Sequence, residues 1–436
     1  MTRPLGRSRL VRDRLTLTLY TPFITWGWFL YGFSPAVPLI AEEQGISRAL
    51  AGLHGTGMAV GTVAAGLVSA RIAIRYGRRV QTLLGCAVLV VGILMLLAGT
   101  TVAVTLPACV VVAVGGNLVL AAAQPALAVH HGAAGPAAIT EANAVGATFG
   151  LLAPLAVGAS VGLGWGWRPA VGLVIVLAVT VGVLVASLRN VPALGRGAVT
   201  RAPVAAPVPA AATTTAAPGA DQAAAAPTGA VARAERRAGR AFSGAFWFFW
   251  VAMLCGVAIE FSTTFWASDL LTQRTGASPS VATASVSALV VGMAVSRFVV
   301  GPLSMRKAPE KILLLAYALA GVGWAAFWLA TSTPVAIAGL VLAGLGYGAH
   351  YPLSAALTLR ASDGRPDQAQ ARGSIGTGAA VGIAPFALGA LADVVGAHQA
   401  FLLVPVLVVV GGGAVALGLR SVHRALRTTA PAPGTR

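Results

Sequence analysis

Charge is scarce in this chain. Charged residues are only 10% of its 436 residues, against roughly 25% in a soluble globular domain. That excludes an ordinary water-facing surface around a single core. Acids are rarer still, with twelve Asp and Glu against thirty Lys and Arg. A membrane-embedded transferase would need clustered carboxylates or histidines on its loops, and only Asp363 and Asp367 stand close together in one. Cysteine is nearly absent. Cys86, Cys109 and Cys255 lie in apolar runs without metal-ligand spacing and read as small packing residues. His130 and His131 have no carboxylate pair nearby, so neither a metal nor a cofactor is expected. "GLGYG" at 344–348 lies inside an apolar run with no strand before it, which excludes a nucleotide loop. The alternating pattern of a membrane barrel is missing as well.

Apolar residues fill the space. They make up 57% of the chain, in twelve runs near 15–40, 49–72, 80–99, 102–129, 138–163, 168–188, 243–271, 281–305, 311–331, 334–359, 372–395 and 399–419. About 20 apolar residues cross roughly 30 Å of hydrocarbon, and in lipid such spans satisfy their backbone as helices. The fold class is an all-α membrane protein. Residues 189–240 break the pattern with Ala, Pro and Thr and no periodic apolar face, so they read as a disordered cytoplasmic linker. The expected plan is a tail at 1–14, six spans over 15–188, the linker, six spans over 241–419 and a tail at 420–436.

The net charge of +18 is ordered by position. Twenty-five of the thirty basic residues fall in segments on the side of the N-terminus, Arg48, Arg168 and Arg274 fall on the other side, and Arg71 and Arg297 lie within spans. This is the positive-inside rule. It places both termini in the cytoplasm of a cell-membrane protein and the charge against anionic lipid, and it is no nucleic-acid footprint. The N-terminal segment lacks the order of a cleaved signal peptide.

The chain is written twice at an offset of 231 residues. "EQGISRALAG" at 43–52 faces "RTGASPSVAT" at 274–283, pairing Gly45 with Gly276 and Ser47 with Ser278. "RIAIRYGRR" at 71–79 faces "PLSMRKAPE" at 302–310, pairing Arg75 with Arg306. "APLAVGA" at 153–159 faces "APFALGA" at 384–390, pairing Pro154 with Pro385 and Gly158 with Gly389. Three matches at one offset indicate a parallel repeat of two six-helix units. On these features the chain resembles the major facilitator superfamily of secondary transporters. The superfamily's loop between spans 2 and 3 is matched here by Arg75, Gly77, Arg78 and Arg79, with Ala70 and Ile74 replacing its Gly and Asp. The second copy keeps Gly301 and Arg306 but has Met305 at the Asp position. In the family that Asp helps latch the cytoplasmic helix ends, so the resemblance implies a different latch here.

Ionisable residues at membrane depth are costly, about 2.5–3.5 kcal/mol at a helix centre, and mark function. Glu260 lies eleven residues before the outer end of the seventh run, about 16 Å by helix rise and near the midplane. It is the expected proton-coupling site or a solute contact. His350, which titrates near neutral pH, is a second proton candidate. Phe265 and Trp266 beside Glu260, and Trp26 and Tyr31 in the first run, are candidate solute contacts. The resemblance draws binding sites from spans 1, 4, 7 and 10, which adds Asn117, Gln124 and Tyr351. Arg297 in span 8 sits nearer the cytoplasm than Glu260, about 8 Å away along the axis. It resembles an arginine common in the family and is expected to be structural rather than a direct partner of Glu260. Gly146, Gly150, Pro154 and Gly158 recur every four residues in span 5 and give one flat packing face. Their Pro-containing end partly resembles the antiporter motif of drug exporters and tilts the reading slightly towards efflux.

The expected function is gradient-driven transport of a small organic solute, coupled to protons, by a monomer and not an enzyme. Uptake of a metabolite on the same fold is the main alternative, and a non-transporting sensor the lesser one.

Overall fold

The computed structural model describes residues 10–189, 191–195, 242–304, 306–363 and 366–429. Among these residues there is no strand, and twelve helices are long and apolar enough to cross a membrane. Spans 1 to 6 run Arg14–Gln44, Arg48–Tyr76, Arg78–Ala98, Val102–His131, Ala138–Gly162 and Arg168–Ser187. Spans 7 to 12 run Gly244–Thr275, Pro279–Val300, Pro309–Leu329, Thr333–Arg360, Arg372–Val395 and Ala397–Arg424. The protein is an all-α multi-pass membrane protein built from two six-helix halves.

Local chemistry explains where spans begin and end. Span 1 starts behind Asp13, whose carboxylate accepts from the Thr16 amide at 2.9 Å. It ends at Gly45, whose left-handed backbone (φ 61°) caps it. Ser47 then caps span 2 by accepting from the Leu50 amide at 3.2 Å. The second half repeats this. Gly276 (φ 65°) ends span 7, and Ser278 accepts from the Val281 amide at 3.4 Å to start span 8. Both glycines sit where an L side chain is strained, and both serines satisfy an orphan N–H. The residues paired by sequence offset therefore do the same local job.

Proline sets the interruptions. Span 1 passes through a 3-10 turn, Ser34–Ala36, before resuming at Val37. Span 5 breaks at Leu151, with Pro154 one turn further on, whereas span 11 carries Pro385 without a break. The C-terminal boundary differs from expectation. The last helix runs on to Thr429, because the apolar run stops near Leu419 but good helix formers follow it. Of the expected linker, residues 190 and 196–240 lie outside the described residues. Its first part forms a 3-10 turn, Pro192–Leu194, with Ala193 and Leu194 buried. Residues 1–9 and 430–436 of the two tails also lie outside the described residues.

Small residues bring helices together within each half. A Cβ on Gly27 of span 1 would lie 2.4 Å from the Gly146 carbonyl oxygen of span 5. One on Gly146 would lie 2.6 Å from the Phe23 carbonyl, and one on Gly150 would meet the Tyr31 ring. Lipid tails are as apolar as leucine, so such close packing is what holds helices together in a membrane. Gly27→Leu is expected to destabilise the N-terminal half by about 3 kcal/mol, the upper part of the overpacking range. Thermal unfolding in detergent reads this as a lowered Tm, and an unchanged Tm would refute the tight contact.

Between the halves there are two seams, both towards the end away from the termini. Span 5 meets span 8, where a Cβ on Gly158 would lie 2.6 Å from the Ser280 carbonyl oxygen. The Ser280 hydroxyl donates to the Gly158 carbonyl at 2.7 Å, and the Ser287 hydroxyl to the Leu151 carbonyl at 2.9 Å. Span 2 meets span 11, where a Cβ on Gly52 would lie 2.7 Å from Phe386 Cα and one on Gly389 2.5 Å from the Arg48 carbonyl oxygen. The Thr56 hydroxyl donates to the Gly382 carbonyl on the same seam. Towards the basic end this contact stops, and open space surrounds the Cβ positions of Gly66 and Gly378.

Candidate functional site

Three polar side chains from both halves converge where the seams stop. Glu260 lies fifteen residues from the far end of span 7 at Thr275, about 22 Å by helix rise. Tyr31 of span 1 comes from the opposite half at a similar depth, with its ring packed over Gly150. Arg297 of span 8 reaches the same place. Glu260, Arg297 and Tyr31 lie within electrostatic range of one another. Tyr347 of span 10 lies close to Glu260 from another side, and its hydroxyl is 3.2 Å from that of Thr263. Glu260 is half-buried and Arg297 is exposed.

Arg297 and Glu260 act on each other through space, and no ion pair joins them.

The other expected site residues divide. Asn117 of span 4 sits at the same level and donates to the Thr62 hydroxyl of span 2 at 3.0 Å and to the Ala113 carbonyl at 2.8 Å. Gln124 is exposed two turns nearer the basic end, and Tyr351 is 43% exposed beside Met253 and Gly373. Trp26 turns into the N-terminal half, where its ring lies against Gly116. Phe265 and Trp266 are fully buried in the seam between spans 2 and 11. Phe265 packs beside Gly55, and the Trp266 indole donates to the Pro385 carbonyl at 2.8 Å. They face the seam rather than the side of Glu260, because five and six residues along a helix lead about 140° and 240° away from it. His350 is 1% exposed and stacks on Tyr317 at 4.0 Å. Neither of its ring nitrogens makes a hydrogen bond of good geometry.

At the far end the halves are also joined by charge. The Arg48 guanidinium of span 2 donates to Asp269 of span 7 at 2.8 and 3.4 Å. The amides of Arg48 and Ala49 donate to the Asp393 carboxylate of span 11 at 2.9 and 2.8 Å. These groups border a recess of about 410 Å³ that also touches Glu42 and Thr272. Arg168 is neutralised separately, bidentate to Glu43 at 2.6 and 2.7 Å. Residue spacing does not mark Asp269 and Asp393 as a joint between the halves. Their signal was two carboxylates at the far ends of two spans in an acid-poor chain.

The described residues contain no group of three or more metal-ligating side chains placed to share an ion. The model of the Major Facilitator Superfamily matches residues 23–274 and again 248–435. The chain belongs to this superfamily. Membership makes the protein a membrane transporter rather than an enzyme. No curated protein sequence matches the chain. Among solved structures, the nucleoside transporter NupG aligns with a TM-score of 0.68 at 13% identity, over 93% of this chain and 98% of that one. A bacterial homolog of the human lysosomal transporter Spinster, inward-facing and occupied, aligns with a TM-score of 0.70 at 17% identity, over 94% and 96%. The peptide transporter POT in complex with sulfate gives a TM-score of 0.65 at 15% identity, over 95% and 94%. These likenesses show the shared fold.

The superfamily loop motif is occupied in an unexpected way. Gly77 turns the chain with φ 88°. Arg75 stacks over Tyr76 at 5.3 Å. Arg78 is buried and donates to the Ala193 carbonyl at 3.1 Å, and Arg79 donates to the Leu188 carbonyl. Both therefore pin the segment after span 6 onto its own half. Arg306 is exposed in the matching loop, and its amide bonds the Leu303 carbonyl at 3.0 Å. Gly301 lies on the preceding helix, and its surroundings fall outside the described residues.

Proposed function

We propose that the protein couples movement of a small organic solute to protons and that Glu260 carries the proton. The observation that supports this is the meeting of Glu260 with Arg297 and Tyr31 at mid-span, between the two halves. A carboxylate at this depth is tolerated because a guanidinium lies within electrostatic range and the side chain is only half-buried. Rocking of the halves about the seams would expose the group to one side and then the other. Arginine distribution supports a basic end in the cytoplasm of the cell membrane. On that orientation the present conformation is closed outside and open inside. His350, buried against Tyr317, is assigned packing rather than coupling.

The test is proton flux in proteoliposomes loaded with a pH-sensitive dye. Solute-driven proton movement is expected to fall at least tenfold in Glu260→Gln. Full coupling in that variant would overturn the reading and pass the question to His350. The direction of the coupled flux in the same vesicles decides between export and uptake.

A further inference from the structure

We propose that the recess at the far end of the seams is a regulatory site for an aliphatic diamine, which holds the halves closed there. Residues of both halves build it. Glu42, Ser47 and Arg48 come from the first half, and Asp269, Thr283 and Asp393 from the second. Its volume of about 410 Å³ suits a small organic molecule. Glu260 does not line it, so the site stands apart from the proton-coupled reading.

Charge decides what can enter. Three carboxylates, Glu42, Asp269 and Asp393, line the recess against one guanidinium, Arg48. Arg48 is committed to Asp269 at 2.8 Å, and the Gln273 side chain donates to the same carboxylate at 2.9 Å. Asp393 accepts the uncharged amides of Arg48 and Ala49. Glu42 is exposed and has neither an ion pair nor a hydrogen bond among the described residues. The charges of Glu42 and Asp393 are thus left without a counter-charge. Arg168 does not offset them, because Glu43 already holds it.

Thr283 points to an occupant independently. It is 1% exposed and lines the recess, yet its hydroxyl has no hydrogen-bond partner among the described residues. The neighbouring hydroxyls are satisfied: Thr272 donates to the Ser268 carbonyl at 3.0 Å, and Ser268 to the Pro35 carbonyl at 3.4 Å. Buried polar groups are ordinarily paired, so the Thr283 hydroxyl is placed to accept an N–H from a ligand. A metal ion needs several acidic or imidazole ligands together, and the described residues hold no such group. An ammonium carries three donors and no acceptor. Two ammonium groups match the two uncompensated carboxylates, and the methylene chain between them meets Leu39, Ile46 and Ala282. The recess exists only where the halves meet. Its occupant therefore favours the closed far end by its differential affinity, and slows transport without being carried.

The test is isothermal titration calorimetry of the full chain in detergent with 1,4-diaminobutane. Saturable binding to one site is expected, with butylamine at least tenfold weaker. Glu42→Gln should weaken diamine binding about tenfold, and Thr283→Val several-fold. Gly158→Leu, which wedges the halves apart outside the recess, should weaken it at least tenfold. Gly27→Leu, a clash within one half, should leave it unchanged below the Tm. By reciprocity, the factor lost in Gly158→Leu measures how far the diamine favours closure. Magnesium chloride should displace the diamine no more than sodium chloride of equal ionic strength. No saturable binding, binding indifferent to Glu42→Gln and Gly158→Leu, or specific displacement by magnesium overturns the proposal. Binding that is lost in Glu260→Gln places the amine at mid-span and overturns it as well.

Discussion

Gly158→Leu is expected to hold the far end open and to stop transport. At this position all three nearest atoms to an added Cβ belong to span 8 of the other half: the Ser280 carbonyl oxygen at 2.6 Å, Ala284 Cβ at 2.8 Å and the Ala284 amide nitrogen at 3.0 Å. A leucine cannot be accommodated by a rotamer change, because two of the three are backbone atoms. The halves must separate locally, at a cost of about 1–3 kcal/mol for overpacking, and a single leucine already pushes the closed form from dominant towards minor. Gly52→Leu should act equally on the other seam, since its three nearest atoms are Phe386 Cα and N and the Pro385 carbonyl. The readout is labelling of a cysteine at Ser268, which is 4% exposed and faces the Pro35 carbonyl across the halves. Reaction with an impermeant maleimide should rise at least tenfold in either wedge variant. The Tm should fall less than in Gly27→Leu, whose clash lies inside one half. Unchanged labelling would mean that the seams do not set the closed state.

The second large effect is expected from Arg48→Ala combined with Asp393→Ala. Asp393 caps the first turn of span 2 from the opposite half, and a charged cap of this kind is worth about 1 kcal/mol. The Arg48–Asp269 pair is partly exposed, 33% and 16% for the two side chains, and is discounted to about 0.5 kcal/mol. Together the closed form should lose about 1.5 kcal/mol, roughly tenfold in population. Labelling at the same cysteine should rise accordingly. Transport should persist, because nothing steric prevents closure. Asp393→Asn separates the contributions: it keeps an acceptor for the two amides and loses only the charge, so it should recover part of the effect. If the double variant labels like wild type, the ionic contacts are incidental to the seal.

The fold was legible because lipid imposes one simple rule, a minimum apolar length per helix, and the duplication left matching glycines and serines at the loop where each second span begins. Glu260 was legible for the same reason, as one charge in an apolar run. The orientation of its neighbours was not. Nearness in sequence made Phe265 and Trp266 look like companions of Glu260, whereas helical rotation turns them into the seam. Asp269 and Asp393 were hidden because their partners lie 221 and 345 residues away in the chain, and nothing local marks such pairs.

The two seams have a further meaning. Gly158 of the first half receives the start of span 8, and Gly389 of the second receives the start of span 2. These are the same two patches with the roles of the halves exchanged. That is the rule of an isologous contact, in which one self-complementary surface meets its copy across a two-fold axis. The closed end therefore needs nothing peculiar to either half, and a homodimer of one six-helix unit could already have formed it before the two copies were joined in a single chain.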